Sequence, residues 1–116
     1  MEYTNINGYL IPNLVYEETE KPHYGRYGRM RLDFLREHDP ISLDLLTIEG
    51  QLTAHLNEVD DAANEQLSII ISQMAERQGV NEDLKRRDPL AWVDAMNNIR
   101  SAAEEIILND IVFSMM

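Results

Sequence analysis

The sequence contains no cysteine. Disulfides, thiolate zinc sites and a cysteine nucleophile are thereby excluded, and a reducing, cytoplasmic compartment is expected. There is no Gly-rich phosphate loop, and no serine sits in a Gly-x-Ser-x-Gly elbow. No stretch approaches the ~20 continuous apolar residues of a membrane-spanning helix. The start, MEYTNINGYLIP, lacks a basic region and a long apolar run, so no secretory signal is expected. Positive charge is also scarce, with 10 Lys and Arg against 21 Asp and Glu and a net charge of -11. Such a chain repels phosphate backbones at long range, which disfavours a general nucleic-acid binder. Neither an enzymatic activity nor a cofactor is expected.

What is present suits one globular domain: 116 residues, 44% of them hydrophobic. The charge is unevenly placed. Residues 21–36 hold Lys21, Arg26, Arg29, Arg31 and Arg36 against Asp33 alone, whereas residues 37–76 hold no Lys or Arg. A basic end and an acidic long side follow.

The hydrophobic spacing is helical. Residues 1–22 are irregular: Asn7-Gly8 signals a turn between short apolar groups, so a small hairpin or an extended N-terminal arm is expected, and the arm is preferred because an isolated hairpin is marginal. A first helix is predicted from His23–Tyr27 to His38, with Gly25 and Gly28 weakening its first turn. Asp39-Pro40 stops it and opens a short helix to Glu49, ended by Gly50. From Gln51 to Gln78, Leu52, Leu56, Val59, Ala63, Gln66, Ile70 and Met74 recur at steps of four and three. Gly79 ends this helix, and Asn81 caps a short connector. Asp88-Pro89 opens the last long helix, predicted to run to Phe113. There Trp92, Met96, Ile99, Ala103 and Ile106 form the stripe expected to pack on the Leu52–Met74 stripe. The fold expected over residues 23–116 is therefore all-α: a helical bundle with two long antiparallel helices and shorter accessory helices. Two long stripes with short companions leave apolar surface thinly covered, which suggests a homodimer.

Candidate functional residues fall in three groups. Asn97, Asn98 and Arg100 are unusual inside an amphipathic helix. One asparagine should reach the stripe's edge, where a buried amide needs partners, and Arg100 should pair with Glu104 four residues on. Structural networking is the plain reading of this group, and partner contact the functional one. Arg26, Arg29, Arg31 and Arg36 either pair with the acidic flank or contact DNA or another anion. A helix-turn-helix reading of the two helices joined at Asp39-Pro40 is weak, because the second has Asp44 and Glu49 and no Lys or Arg. His55 and Glu58, followed by Asp61 and Glu65, share a helix face, but a di-metal site puts Glu before His on two helices, so a solvated acidic face is expected.

Several pieces then carry a family resemblance: Asn7-Gly8-Tyr9-Leu10-Ile11-Pro12-Asn13-Leu14, Tyr27-Gly28-Arg29-Met30-Arg31 with Phe34 to His38, Leu45-Leu46, Gly50-Gln51-Leu52, Gly79-Val80 and Leu84-Lys85. Trp92-Val93, Met96-Asn97-Asn98-Ile99-Arg100 and Ala103-Glu104-Glu105-Ile106 complete the set. The chain resembles the TnpV family, small proteins encoded on transposons and integrative elements of Firmicutes. Leu43 departs from a usual tyrosine and Gln51 from a usual lysine. The resemblance implies a cytoplasmic protein of a mobile element with an accessory role in excision, transfer or their regulation, and it carries over no functional residues. The first expectation is action through protein contacts, for instance on a basic recombinase. The second is an excisionase-like DNA-binding factor using residues 21–36.

Overall fold

The structure, a computed structural model, describes residues 20–114 in full and the backbone of Tyr3–Ile6 and Tyr9–Pro12. These two stretches are strands β1 and β2, paired antiparallel with Ile6 opposite Tyr9 and Tyr3 opposite Pro12. A hairpin thus stands where an extended arm was preferred. The rest is all-α: α1 (Arg26–His38), α2 (Pro40–Ile48), α3 (Leu52–Gln78), α4 (Glu82–Arg87) and α5 (Pro89–Ile107).

Local chemistry sets these boundaries. Asp39, Asn81 and Asp88 each accept a hydrogen bond from the backbone N–H three residues on, capping α2, α4 and α5. Pro40 and Pro89 occupy first-turn positions, where a missing N–H costs nothing. Gly79 ends α3 with φ 68°, a left-handed conformation that a side chain would strain.

α3 and α5 run antiparallel: His55, Glu58 and Val59, early in α3, share a cavity wall with Asp110 and Ile111, beyond the end of α5. α1 packs on α3 and on the residues following α5, α2 packs on α1 and α3, and α4 packs on α5. The core joins Tyr27, Val59, Ala63, Ile107 and Val112, flanked by Met30, Leu67, Ile70, Leu108 and Ile111. The molecule is elongated, 69 × 26 × 18 Å in extent. The last two turns of α3 and the first half of α5 contribute no residue to this cluster.

The buried seam of α5 departs from the predicted stripe. Ile99, Ala103 and Ile107 are buried, while Ile106 is 38% exposed. The helix does not run unbroken to Phe113 either. Residues Leu108–Val112 form one π-helical turn, closed by Phe113 N–H to the Leu108 carbonyl. A wider turn advances the buried face by five residues, from Ile107 to Val112. Trp92, expected as a core anchor, is only half-buried, and the Lys85 ammonium stands 4.7 Å from its ring centroid.

α3 has a second buried face, and it is polar. Thr53, Asn57 and Asp60 are buried there, beside Leu56, Val59 and Ala63. Asn57 Oδ1 accepts from the N–H groups of His23 (2.8 Å) and Tyr24 (3.0 Å). Its Nδ2 donates to Glu20 Oε1 (3.1 Å) and the Lys21 carbonyl (3.0 Å). Asp60 Oδ1 accepts from Gly28 N–H at 3.1 Å, and Asp60 Oδ2 accepts from Asn64 Nδ2 at 3.1 Å. α1 has no capping side chain of its own; α3 supplies the acceptors instead. Gly28 lets Tyr24 fold back against the first turn of α1, since a Cβ there would lie 2.4 Å from Tyr24 Cβ.

Two substitutions test this account. Asn57→Ala strands several polar groups and should lower stability by about 2–4 kcal/mol in urea unfolding. Helix propensity alone predicts that Gly28→Ala stabilises by about 1 kcal/mol, whereas the Tyr24 clash predicts a loss of about 1–3 kcal/mol. A raised urea midpoint for Gly28→Ala would refute the close approach.

Candidate functional site

The basic segment lies on α1, and its arginines have different fates. Arg31 is 2% exposed. Its Nη1 donates to the Val112 carbonyl at 3.0 Å and to the Ser114 carbonyl, and its Nε donates to His55 Nε2 at 3.2 Å. The guanidinium also stands 5.5 Å from the Phe34 ring centroid. Arg31 thus faces the interior and clasps the turn after α5. Arg26 bonds Glu104 Oε1 at 2.5 Å, across from α1 to α5. Arg36 meets Asp33 at 3.5 Å within α1. Arg29 is exposed and forms no ion pair among the described residues. Arg26, Arg29 and Arg36 recur at steps of three and seven, so they share the outer face of α1, with Asp33 between them.

Arginine only donates, so His55 Nε2 accepts and its proton sits on Nδ1. Burial, then the Arg31 charge, holds the imidazole below its ordinary value near 6.5, with Glu58 pulling the other way. His55 is a neutral hydrogen-bond acceptor at pH 7. Among the described residues no group of three or more His, Asp or Glu is placed to hold a metal ion. Arg31, His55, Glu58, Asp110 and Ser114 line a cavity of about 300 Å³.

Asn97, Asn98 and Arg100 are all exposed on α5. Neither asparagine is the buried amide expected at the stripe's edge; Asn57 has that role. Glu104 pairs with Arg26 rather than Arg100, because α1 brings the Arg26 guanidinium across it. On α5, Leu90, Val93, Asn97 and Arg100 recur at steps of three, four and three, and all four are exposed. The sequence reading missed Asn57 and Asp60. Their signal was present in Thr53, Asn57, Asp60 and Asn64, a polar stripe at steps of four, three and four beside the apolar one.

Two further grooves flank α1 and α3. One, of about 460 Å³, is lined by Glu20, Ala54, Asn57, Glu58, Asp61, Ala62 and Glu65. At its edge His23 Nε2 meets Asp61 Oδ2 at 3.0 Å, and this hydrogen bond raises the histidine's pKa. The other, of about 430 Å³, is lined by Met30, Asp33, Phe34, Glu37, His38 and Phe113.

The two histidines drive stability in opposite directions with pH. His55, depressed when folded, contributes stability above pH 6.5 that is lost as pH falls toward its folded value. His23, raised, contributes below 6.5 and loses that contribution as pH rises. His55→Gln keeps an acceptor for Arg31 and removes the titration. Urea midpoints at pH 7.5 and 5.5 should therefore show the variant gaining on the wild type at the lower pH; parallel profiles would overturn the neutral-acceptor assignment.

Among the described residues no helix is long and apolar enough to cross a membrane. Searches of curated proteins and of solved structures returned no match. A family model described as transposon-encoded protein TnpV matches residues 2–112. With nearly the whole sequence covered, the chain belongs to the TnpV family of transposon-encoded proteins.

Proposed function

We propose that this transposon-encoded protein is a non-enzymatic, cytoplasmic accessory factor that works through protein contacts in the excision, transfer or regulation of its element. The observation that carries this reading is the outward stripe of α5. Leu90 and Val93 are 78% and 44% exposed, and Asn97 and Arg100 continue the same line. Much of this stripe is left uncovered by the fold, so its apolar end and polar continuation suit a partner. The partner proposed is the element's recombinase: a DNA-handling protein is basic where it meets phosphate, and the net charge of -11 complements it. A homodimer belongs to the same reading, because Ile69 on α3 is exposed as well as Leu90 and Val93 on α5.

The DNA-binding alternative rests on Arg26, Arg29 and Arg36 along the outer face of α1. Arg31 does not join them, and two of the three share their charge with Glu104 and Asp33.

Asn97→Ala with Arg100→Ala should leave helix content and unfolding midpoint unchanged, since both side chains are exposed. Adding Val93→Glu should abolish co-purification with the element's recombinase. If the triple variant retains the recombinase at wild-type levels, the stripe is not the contact. Titration with element-end DNA at low and moderate salt decides the alternative: no binding even at low salt sinks it.

A further inference from the structure

Both phenylalanines of the chain, Phe34 and Phe113, lie in one groove. Their ring centroids are 5.6 Å apart, and the His38 ring is 4.9 Å from Phe34 on the other side. Met30 completes the apolar surface, and Asp33 and Glu37 edge it. These α1 residues sit at 30, 33, 34, 37 and 38, so the groove follows one face of the helix for about two turns. Phe113 is 37% exposed although it is one of the largest apolar side chains available. A volume of about 430 Å³ falls at the small end of ligand-sized pockets, roughly 300–1,000 Å³.

The rim decides what kind of occupant fits. Asp33 meets Arg36 only at 3.5 Å, and the His38 ring nitrogen is 3.9 Å from Glu37. Both carboxylates are thus loosely compensated, and four residues apart on a helix they stand about 6 Å from each other. An apolar floor with two such carboxylates complements a helix that presents one bulky apolar side chain flanked by lysines or arginines a turn apart. An acidic or neutral apolar segment would leave the rim charges facing it without partners.

We propose that the Met30–Phe34–Phe113 groove is a second docking surface, distinct from the α5 stripe, for a basic amphipathic helix of a partner protein. The apolar anchor seats against Phe34 and Phe113, and the flanking cations meet Asp33 and Glu37.

The test uses the full chain and two synthetic fluorescein-labelled 14-residue helical peptides. Each carries one tryptophan anchor on an apolar face; one has lysines beside it, and the other has glutamates at those positions. Fluorescence anisotropy should show the lysine peptide binding at least tenfold more tightly. Glu37→Lys and Phe113→Glu should each weaken it tenfold or more, with far-UV circular dichroism confirming an intact fold. Glu65→Lys makes the same charge change in the other groove and should shift affinity less than twofold. Equal losses for Glu65→Lys and Glu37→Lys would reduce the effect to net charge and overturn the proposal. So would sedimentation showing that Phe113→Glu separates two copies of the chain while peptide binding is unchanged. Retention of the recombinase by Glu37→Lys, with peptide binding lost, supports this groove and leaves the α5 stripe standing; the converse result separates the two surfaces the other way.

Discussion

The N-terminal end of α1 is held by side chains from α3, and the rest of the structure depends on that arrangement. A helix start exposes backbone N–H groups that need acceptors. Here the segment before α1 and its first turn find them in Asn57 and Asp60, more than thirty residues away in sequence. Asn57 uses both lone-pair directions of its oxygen and both protons of its amide. A fully satisfied buried amide has one compatible arrangement, so it fixes the depth and rotation of α1 on α3. Tyr27 then falls into the core beside Val59 and Ala63, and Arg31 falls against His55 and the turn after α5.

Arg31 shows how an acidic protein can bury a cation with no ion pair among the described residues. Its guanidinium is met by two backbone carbonyls, a neutral imidazole and an aromatic face. The carbonyls at the end of a helical segment carry the negative end of the backbone dipoles, so they suit a guanidinium. The same contacts explain the π-helical turn in physical terms. Widening the backbone at Leu108–Val112 turns the Val112 and Ser114 carbonyls toward Arg31 while Val112 stays fully buried. The basic patch suggested by composition is therefore divided: Arg31 is internal, Lys21 precedes α1, and Arg26, Arg29 and Arg36 lie on the outer face of α1 among carboxylates.

Much of the fold was legible because its signals are local. Asp39-Pro40, Gly79, Asn81 and Asp88-Pro89 set helix boundaries through capping and backbone geometry, and the structure places those boundaries within a few residues of where they read. The apolar stripe of α3 was equally plain at Leu56, Val59 and Ala63. What was not legible depends on partners distant in sequence. Gly28 reads as a weak helix residue until Tyr24 is seen against it. Arg31 stands four residues from both Tyr27 and Leu35 and shares their buried face, while Arg29, two residues away, faces the opposite side; only the groups waiting across that face explain a buried guanidinium. Ile107, four residues after Ala103, takes the seam in place of Ile106, and the π-helical turn beyond it changes the period so that Val112 follows; the contacts to this turn come from another helix. Asn57 and Asp60 stood in a polar stripe beside the apolar one, yet polar residues on a long acidic helix ordinarily face water. The asparagines that drew attention, Asn97 and Asn98, face outward.

The Arg31 clasp also bears on how the chain acquires its structure during synthesis. The carbonyls that receive the guanidinium are 81 and 83 residues further along. At about 5–20 residues per second, they follow Arg31 out of translation by roughly 4–16 s. Once Asn57 and Asp60 have followed, about a third of the way through that interval, α1 can dock on α3, but one face of Arg31 and the core side of Tyr27 remain open to water. Contacts of such long sequence separation slow the closing step. The nascent protein thus spends seconds as a partly closed form whose open side is the one that the end of α5 will cover.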